Sequence, residues 1–183
     1  IVALVALIRP GPLGAGMHNE FTDRATGRKD IEYLHKDLEE ILSETYGVIL
    51  YQEQVMQIAE KISGFELNEA DELRKAMGKK IPKVMEKQRD KFKDGAVKNG
   101  YSEQFAIELF DQIAYFAGYG FNKSHSVPYA LLAYQTAYLK ANYPAEYLAA
   151  CLTAVKRDKD RTAIFLSEAR DLGVKVSTPD INE

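Results

Sequence analysis

Val48, Tyr51, Val55, Ile58, Ala59 and Ile62 recur every three or four residues, and Gly64 follows the last of them. That spacing puts all six on one stripe of an α-helix. A glycine just past the end supplies the left-handed residue at which helices commonly stop. The expectation is a helix over 48–62 with one buried face. The same period returns along most of the chain, and no segment alternates apolar and polar residues as a half-buried strand would.

Leu34, Leu38, Ile41 and Leu42 predict a helix over 34–46. Asn68, with Asp71 behind it, opens a short helix to Met77 that Gly78 is expected to stop. Pro82 suits the first turn of the next, which runs towards Asn99-Gly100. Ser102 caps one whose Phe105, Leu109, Ile113 and Phe116 share a side. Further helices are expected over about 127–141, from Pro144 to near Val155 and over 160–172, before an extended exit. The predicted fold class is all-α, an irregular set of about seven or eight helices with little or no sheet. "RPGPLGAG", residues 9–16, is a Pro/Gly breaker expected as loop.

At 183 residues and 46% hydrophobic, the chain can bury a sizeable core. Its one cysteine, Cys151, sits in an apolar helical stretch and reads as a small buried hydrophobe. His18, His35 and His125 are too scattered for a zinc motif. No apolar run approaches the span of a membrane helix. The opening "IVALVALIRPGP" lacks an initiator Met, a basic leader and a cleavage site, so the expectation is a cytoplasmic piece of something larger.

The net charge of −3 hides two blocks. Residues 30–72 hold twelve acids against Lys36 and Lys61, whereas 74–93 hold nine bases against two acids. Opposite blocks this close suggest a face that meets an anion, and the alternative is a solvated basic helix. Arg74, Lys75, Lys79 and Lys80 flank Gly78, where an open backbone would suit phosphates. Only Phe92 interrupts the basic segment, so base stacking there has little support. Tyr129, Tyr134, Tyr138, Tyr143 and Tyr147 form a stripe expected to pack rather than to stack on bases.

"GYGFNKSHS", residues 118–126, is the sharpest local feature. Gly118 and Gly120 allow close backbone approach. Lys123 and Ser124 fall at a helix mouth, where open N–H groups and the dipole favour an anion. A P-loop needs G-x-x-x-x-G-K-[ST], but Asn122 stands where the second glycine should be, and no strand precedes it. A tight turn capped by Ser124 or Ser126 is the structural alternative. His125 between two serines has no nearby acid to orient it, so a hydrolase is not expected. The acids of 30–72 are scattered rather than clustered for two metals, with Glu53 between Gln52 and Gln54 the first to examine.

"RPGPLGAG", "TYGVILYQEQVMQIA", "ADELRKAMGKK" and "FAGYGFNKSHSVPYALLAYQTAYLKANYPAEYLAA" follow in order along the chain. Together they resemble signatures of the bacterial replicative C-family DNA polymerases, the DNA polymerase III alpha subunits. The resemblance implies the fingers domain. Residues 1–25 would be a loop leading in from the palm, 26–150 the helical fingers, and 151–183 the start of a helix-hairpin-helix-type segment. The family's fingers close on the incoming deoxynucleoside triphosphate and the template base. By that resemblance Arg74 and Lys75 would face the triphosphate, and Lys79 and Lys80 would hold it or nearby nucleic acid. Asn122, Lys123, Ser124 and His125 would line the nucleotide pocket, with Gly78, Gly118 and Gly120 shaping its loops. No catalytic residue is expected in this chain, because the family's aspartates and two Mg²⁺ ions belong to the palm.

The implied partners are primer–template DNA, the incoming nucleotide, the palm and thumb, and, through other domains, the replisome and sliding clamp. No membrane is implied. Two departures stand out: Lys75 where the family often has a second arginine, and Val127-Pro128 after the knot, with Pro128 expected in the first turn of the following helix. Two other readings remain open, a stand-alone helical nucleic-acid-binding or scaffold domain using 74–93, and a small phosphotransferase.

Overall fold

The structure, a computed structural model, describes residues 1–79, 82–117 and 119–177, with the backbone alone at Lys79, Pro82 and Ala117. Eleven α-helices lie among the described residues: α1 Val2–Leu7, α2 Pro10–Gly14, α3 Met17–Ala25, α4 Glu39–Leu42, α5 Gln52–Ser63, α6 Leu67–Lys79, α7 Pro82–Lys98, α8 Glu103–Ala117, α9 Lys123–Asn142, α10 Pro144–Val155 and α11 Lys159–Asp171. Their only β feature is an isolated parallel bridge between Tyr51 and Phe121. The all-α expectation holds. The helix count is higher than expected because 1–25, predicted as loop, coils into α1–α3. Pro10 sits in the first turn of α2, where its missing N–H costs nothing.

Two compact units divide the chain, Ile1–Tyr129 and Ala130–Glu183. In the first, α5–α8 enclose the main core, with Ile58, Ile62, Leu73, Phe92, Leu109 and Ile113 wholly buried. Gly64, at φ +66°, ends α5 as the sequence predicts. Gly95 brings the α7 backbone against that same end: a Cβ there would lie 2.2 Å from the Ser63 carbonyl oxygen. A second cluster joins Ala6 and Leu7 of α1 to Met17, Val48, Leu50 and Tyr51.

Val48–Tyr51 differs from the prediction. These residues are extended and α5 begins only at Gln52. Ile49 enters the main core, whereas Val48, Leu50 and Tyr51 enter the second cluster. The four-residue apolar run matched a helical stripe, but burial on both sides is satisfied by an extended chain. The helix expected over 34–46 is likewise broken, into a 3₁₀ turn at Lys36–Leu38, α4, and another 3₁₀ turn at Ser43–Thr45.

The buried amide of Gln54 holds this junction. Its Oε1 accepts from the N–H groups of Leu50 and Tyr51, each at 2.9 Å. Its Nε2 donates to Thr45 Oγ1 at 2.8 Å and to the Ile41 carbonyl at 3.2 Å. Tyr101 makes a second long-range tie, donating its hydroxyl to Asp37 Oδ2 at 2.7 Å. That bond holds the Asp37 carboxyl below its usual range and raises the Tyr101 hydroxyl to about 12.

In the second unit α10 packs on α11, burying Leu148 and Ala169. Asp158 caps α11 by accepting from the Arg161 N–H, and Lys140 pairs with Glu168. Tyr129, Tyr134, Tyr138 and Tyr143 are 51–57% exposed and only Tyr147 is half-buried, so the packing expected of this stripe is found at its last member alone. Cys151 is half-buried, short of the buried position expected. No helix among the described residues is long and apolar enough to cross a membrane.

Two outcomes are expected. Gln54→Leu leaves two buried N–H groups and a carbonyl without their partner, so chemical denaturation should show a loss of about 3 kcal/mol or more. Tyr101→Phe should lower the melting temperature at neutral pH. Asp37 has a depressed folded pKa, so its share is present above about pH 4 and lost below it as pH falls through the folded value. Tyr101 has a raised one, so its share is present below about pH 10 and lost between there and about 12. Melting curves of both proteins across pH should therefore converge at each extreme.

Candidate functional site

The first turn of α5 is where the candidate residues meet. Gln52, its first residue, receives Phe121 through the main chain: Gln52 N–H donates to the Phe121 carbonyl at 3.0 Å, and Phe121 N–H to the Leu50 carbonyl at 3.1 Å. The Gln52 side chain reaches further. Its Nε2 donates to the Gly120 carbonyl at 3.2 Å, and its Oε1 accepts from a terminal nitrogen of Arg74 on α6, also at 3.2 Å. Next along the helix, the Glu53 carboxylate accepts from the Lys123 N–H at 2.9 and 3.0 Å and from the Ser124 N–H at 3.5 Å.

The knot 122–126 was expected to precede a helix starting near 127. Instead it forms the first turn of α9. The cap is Asn122, whose Oδ1 accepts from the His125 N–H at 2.9 Å, rather than Ser124 or Ser126. Ser126 is buried and donates to the Val2 carbonyl at 2.6 Å, a bond that ties α9 to α1. Pro128 lies inside α9, past its first turn, and cannot donate to the Ser124 carbonyl. The helix mouth expected to hold open N–H groups is filled by the protein's own anion, Glu53, which sits where the dipole favours a carboxylate. Any further anion here must be gripped by side chains.

Those side chains are already neutralised. Lys123 Nζ meets both oxygens of Glu44 at 2.6 and 2.7 Å and lies 5.6 Å from the centre of the Tyr51 ring. Arg74 uses Nε and one terminal nitrogen on Asp71 Oδ1 at 2.9 and 2.8 Å. Lys75 pairs with the other Asp71 oxygen at 2.6 Å and does not reach α5. These partners, Lys75 first and then Arg74, hold the Asp71 carboxyl below its usual range. Burial pushes the Tyr51 hydroxyl up to about 12, and Glu44 and Glu53 add to that shift.

Gly78 does not stop α6, which runs through it to Lys79. Glycine inside a helix costs only about 1 kcal/mol relative to alanine, which the burial of Leu73 and Met77 offsets. The expectations for Lys80, Gly118 and the Lys79 side chain fall outside the described residues. The structure thus brings together Arg74, Gly120, Asn122, Lys123, Ser124 and His125, and leaves Lys75 aside. On α7, Arg89 pairs with Asp111, Lys91 with Glu69 and Lys93 with Glu103, so much of the basic segment is bound to neighbouring acids.

Sequence reasoning missed Arg9. Its guanidinium lies 4.6 Å from the centre of the Phe121 ring and donates to the carbonyls of Tyr119 and Ala6. Burial lowers its pKa. The other side of the site continues as a run of rings, Phe121 to His125 at 5.7 Å and His125 to Tyr129 at 4.6 Å. Only the arginine directly before Pro10 hinted at a side chain fixed by a helix start.

A groove of about 1460 Å³ in the first unit contains none of these residues. Glu20, Glu32, Glu103, Glu108 and Asp111 line it against a single arginine, Arg24, which disfavours a polyanion. No group of three His, Cys, Asp or Glu among the described residues could hold a metal ion. Glu44 and Glu53 are turned to Lys123 and to backbone N–H groups, a donor set that does not suit Mg²⁺.

Residues 1–100 match the family model described as the bacterial DNA polymerase III alpha subunit finger domain. The chain belongs to that family. The whole chain is 51% identical to the DNA polymerase III subunit alpha of Mycobacterium tuberculosis (strain CDC 1551 / Oshkosh), covering 16% of that protein's length. It is 53% identical to the subunit of Vibrio cholerae serotype O1 and 52% identical to that of Escherichia coli K12, again over the whole chain and 16% of each relative. The finger-domain resemblance carried by the four motifs is thereby established, and the chain spans about a sixth of the curated relatives it matches.

The cap gives a direct check. Asn122→Ala should cost about 1 kcal/mol in a denaturation experiment, while Asn122→Asp keeps the acceptor and most of that stability.

Proposed function

We propose that this chain is the fingers portion of a DNA-directed DNA polymerase that binds the incoming deoxynucleoside triphosphate and positions the templating base during bacterial chromosomal replication. The observation that carries this reading is that adjacent residues of α5 hold two distant basic residues, Gln52 the Arg74 guanidinium and Glu53 the backbone N–H of Lys123. Arg74 on α6 and Lys123 on α9 are the two jaws. A triphosphate entering between them competes with Asp71 and Glu44 for the same donors. Its higher charge favours the exchange, because attraction to the same cations grows with the charge of the anion.

In this reading Arg74 and Lys123 neutralise charge that grows on the leaving pyrophosphate, and Asn122, Ser124 and His125 wall the pocket. Lys79 and Lys80 extend the α6 jaw towards the phosphates or nearby nucleic acid, and Lys75 is an outer charge. The exposed rings of His125 and Tyr129 offer a π face beside the charged groups for a base. Proton and phosphoryl transfer belong to palm aspartates and two Mg²⁺ ions outside this chain, so the fragment alone is inactive. Primer–template DNA, palm and thumb are its partners in a cytoplasmic replisome. A stand-alone DNA-binding role for 74–93 is weakened by the pairing of Arg89, Lys91 and Lys93 with acids.

In the full-length alpha subunit, Arg74→Ala should reduce single-nucleotide incorporation at low nucleotide by about tenfold or more while primer–template affinity stays near wild type. Unchanged incorporation kinetics would remove Arg74 from the triphosphate site.

A further inference from the structure

Gln52 carries chemistry that neither the family motif nor the charge pattern assigns. A glutamine amide holds one acceptor oxygen and two donor hydrogens, and here both ends are used across long sequence separations. Its oxygen takes Arg74, 22 residues away, and its nitrogen holds the Gly120 carbonyl, 68 residues away. The backbone of Gln52 is itself fixed to Phe121 at 3.0 Å, so the side chain starts from an anchored point. Arg74 is held along one edge by Asp71 and at its remaining terminal nitrogen by Gln52. Counting its five N–H donors, one hydrogen on each terminal nitrogen stays uncommitted, which is the pair a phosphate oxygen fork accepts.

We propose that Gln52 is a positioning residue for the nucleotide site, joining Arg74 to the 119–121 loop so that both jaws keep one spacing. The proposal rests on the reading of Arg74 as a triphosphate ligand. An amide is required at this position. A carboxylate loses the donor to the Gly120 carbonyl and faces that oxygen with charge, and a thioether loses both bonds.

The test measures pre-steady-state incorporation by the full-length alpha subunit, taking apparent nucleotide Kd and maximal rate for wild type, Gln52→Met, Arg74→Ala and the double variant. Primer–template affinity serves as the folding control. Gln52→Met should raise the apparent nucleotide Kd by about tenfold with primer–template affinity unchanged. In the Arg74→Ala background it should add less than about twofold, because its effect passes through Arg74. Gln52→Glu, which keeps the bond to Arg74 but not the one to Gly120, should also raise Kd and covers the case in which the methionine variant misfolds.

An unchanged Kd in the Gln52 variants, with Arg74→Ala impaired, overturns the coupling and leaves the nucleotide reading standing. Fully multiplicative effects overturn it too, because Gln52 would then act independently of Arg74. A wild-type Kd in Arg74→Ala overturns the nucleotide reading itself.

Discussion

The buried amide of Gln54 determines where α5 begins, and the site is measured from that point. Two N–H groups at the end of an extended segment and two oxygen acceptors from the preceding turns meet on one side chain. Because that amide is satisfied at every position it uses, the register of Val48–Tyr51 against α5 has no competing alternative of similar energy. Gln52 and Glu53 therefore leave the helix start in fixed directions, one towards α6 and the loop, the other towards α9.

Electrostatically, the site is balanced without a ligand. Glu53 fills the positive end of α9, Glu44 holds Lys123, and Asp71 holds Arg74 and Lys75. Lys123 and Glu44 are well exposed, so their pair contributes little to stability and exchanges readily. These pairs order the cations at little cost to the fold, and in the reading proposed above a more highly charged anion would have only surface carboxylates to displace.

The helical class, α7, α8, α10 and α11 and the Gly64 stop were legible because local period and capping chemistry decide them. Short apolar runs were less so. Val48–Tyr51 fits a helical stripe and an extended segment equally well, and only the pairing of Tyr51 with Phe121 selects the latter. Asn122 was hidden as a cap by two nearby serines that cap equally well in isolation. The residue types of the site were readable, since lysine, arginine and glycine near a helix start suggest phosphate. Their wiring was not. The partners of Gln52 and Glu53 lie up to 70 residues away, and nothing in the periodicity of a helix reports on such a pairing.

Arg9 gives the N-terminal helices a mechanical link to the site. Its guanidinium grips the Ala6 carbonyl at the end of α1 and the Tyr119 carbonyl in the loop, while its face rests on Phe121. Ser126 makes a parallel connection from α9 to Val2. With two such struts in place, α1 and the start of α9 are held in one register by contacts more than 100 residues apart in sequence. The N-terminal helices are thus pinned at two points to the chain that leads into α9.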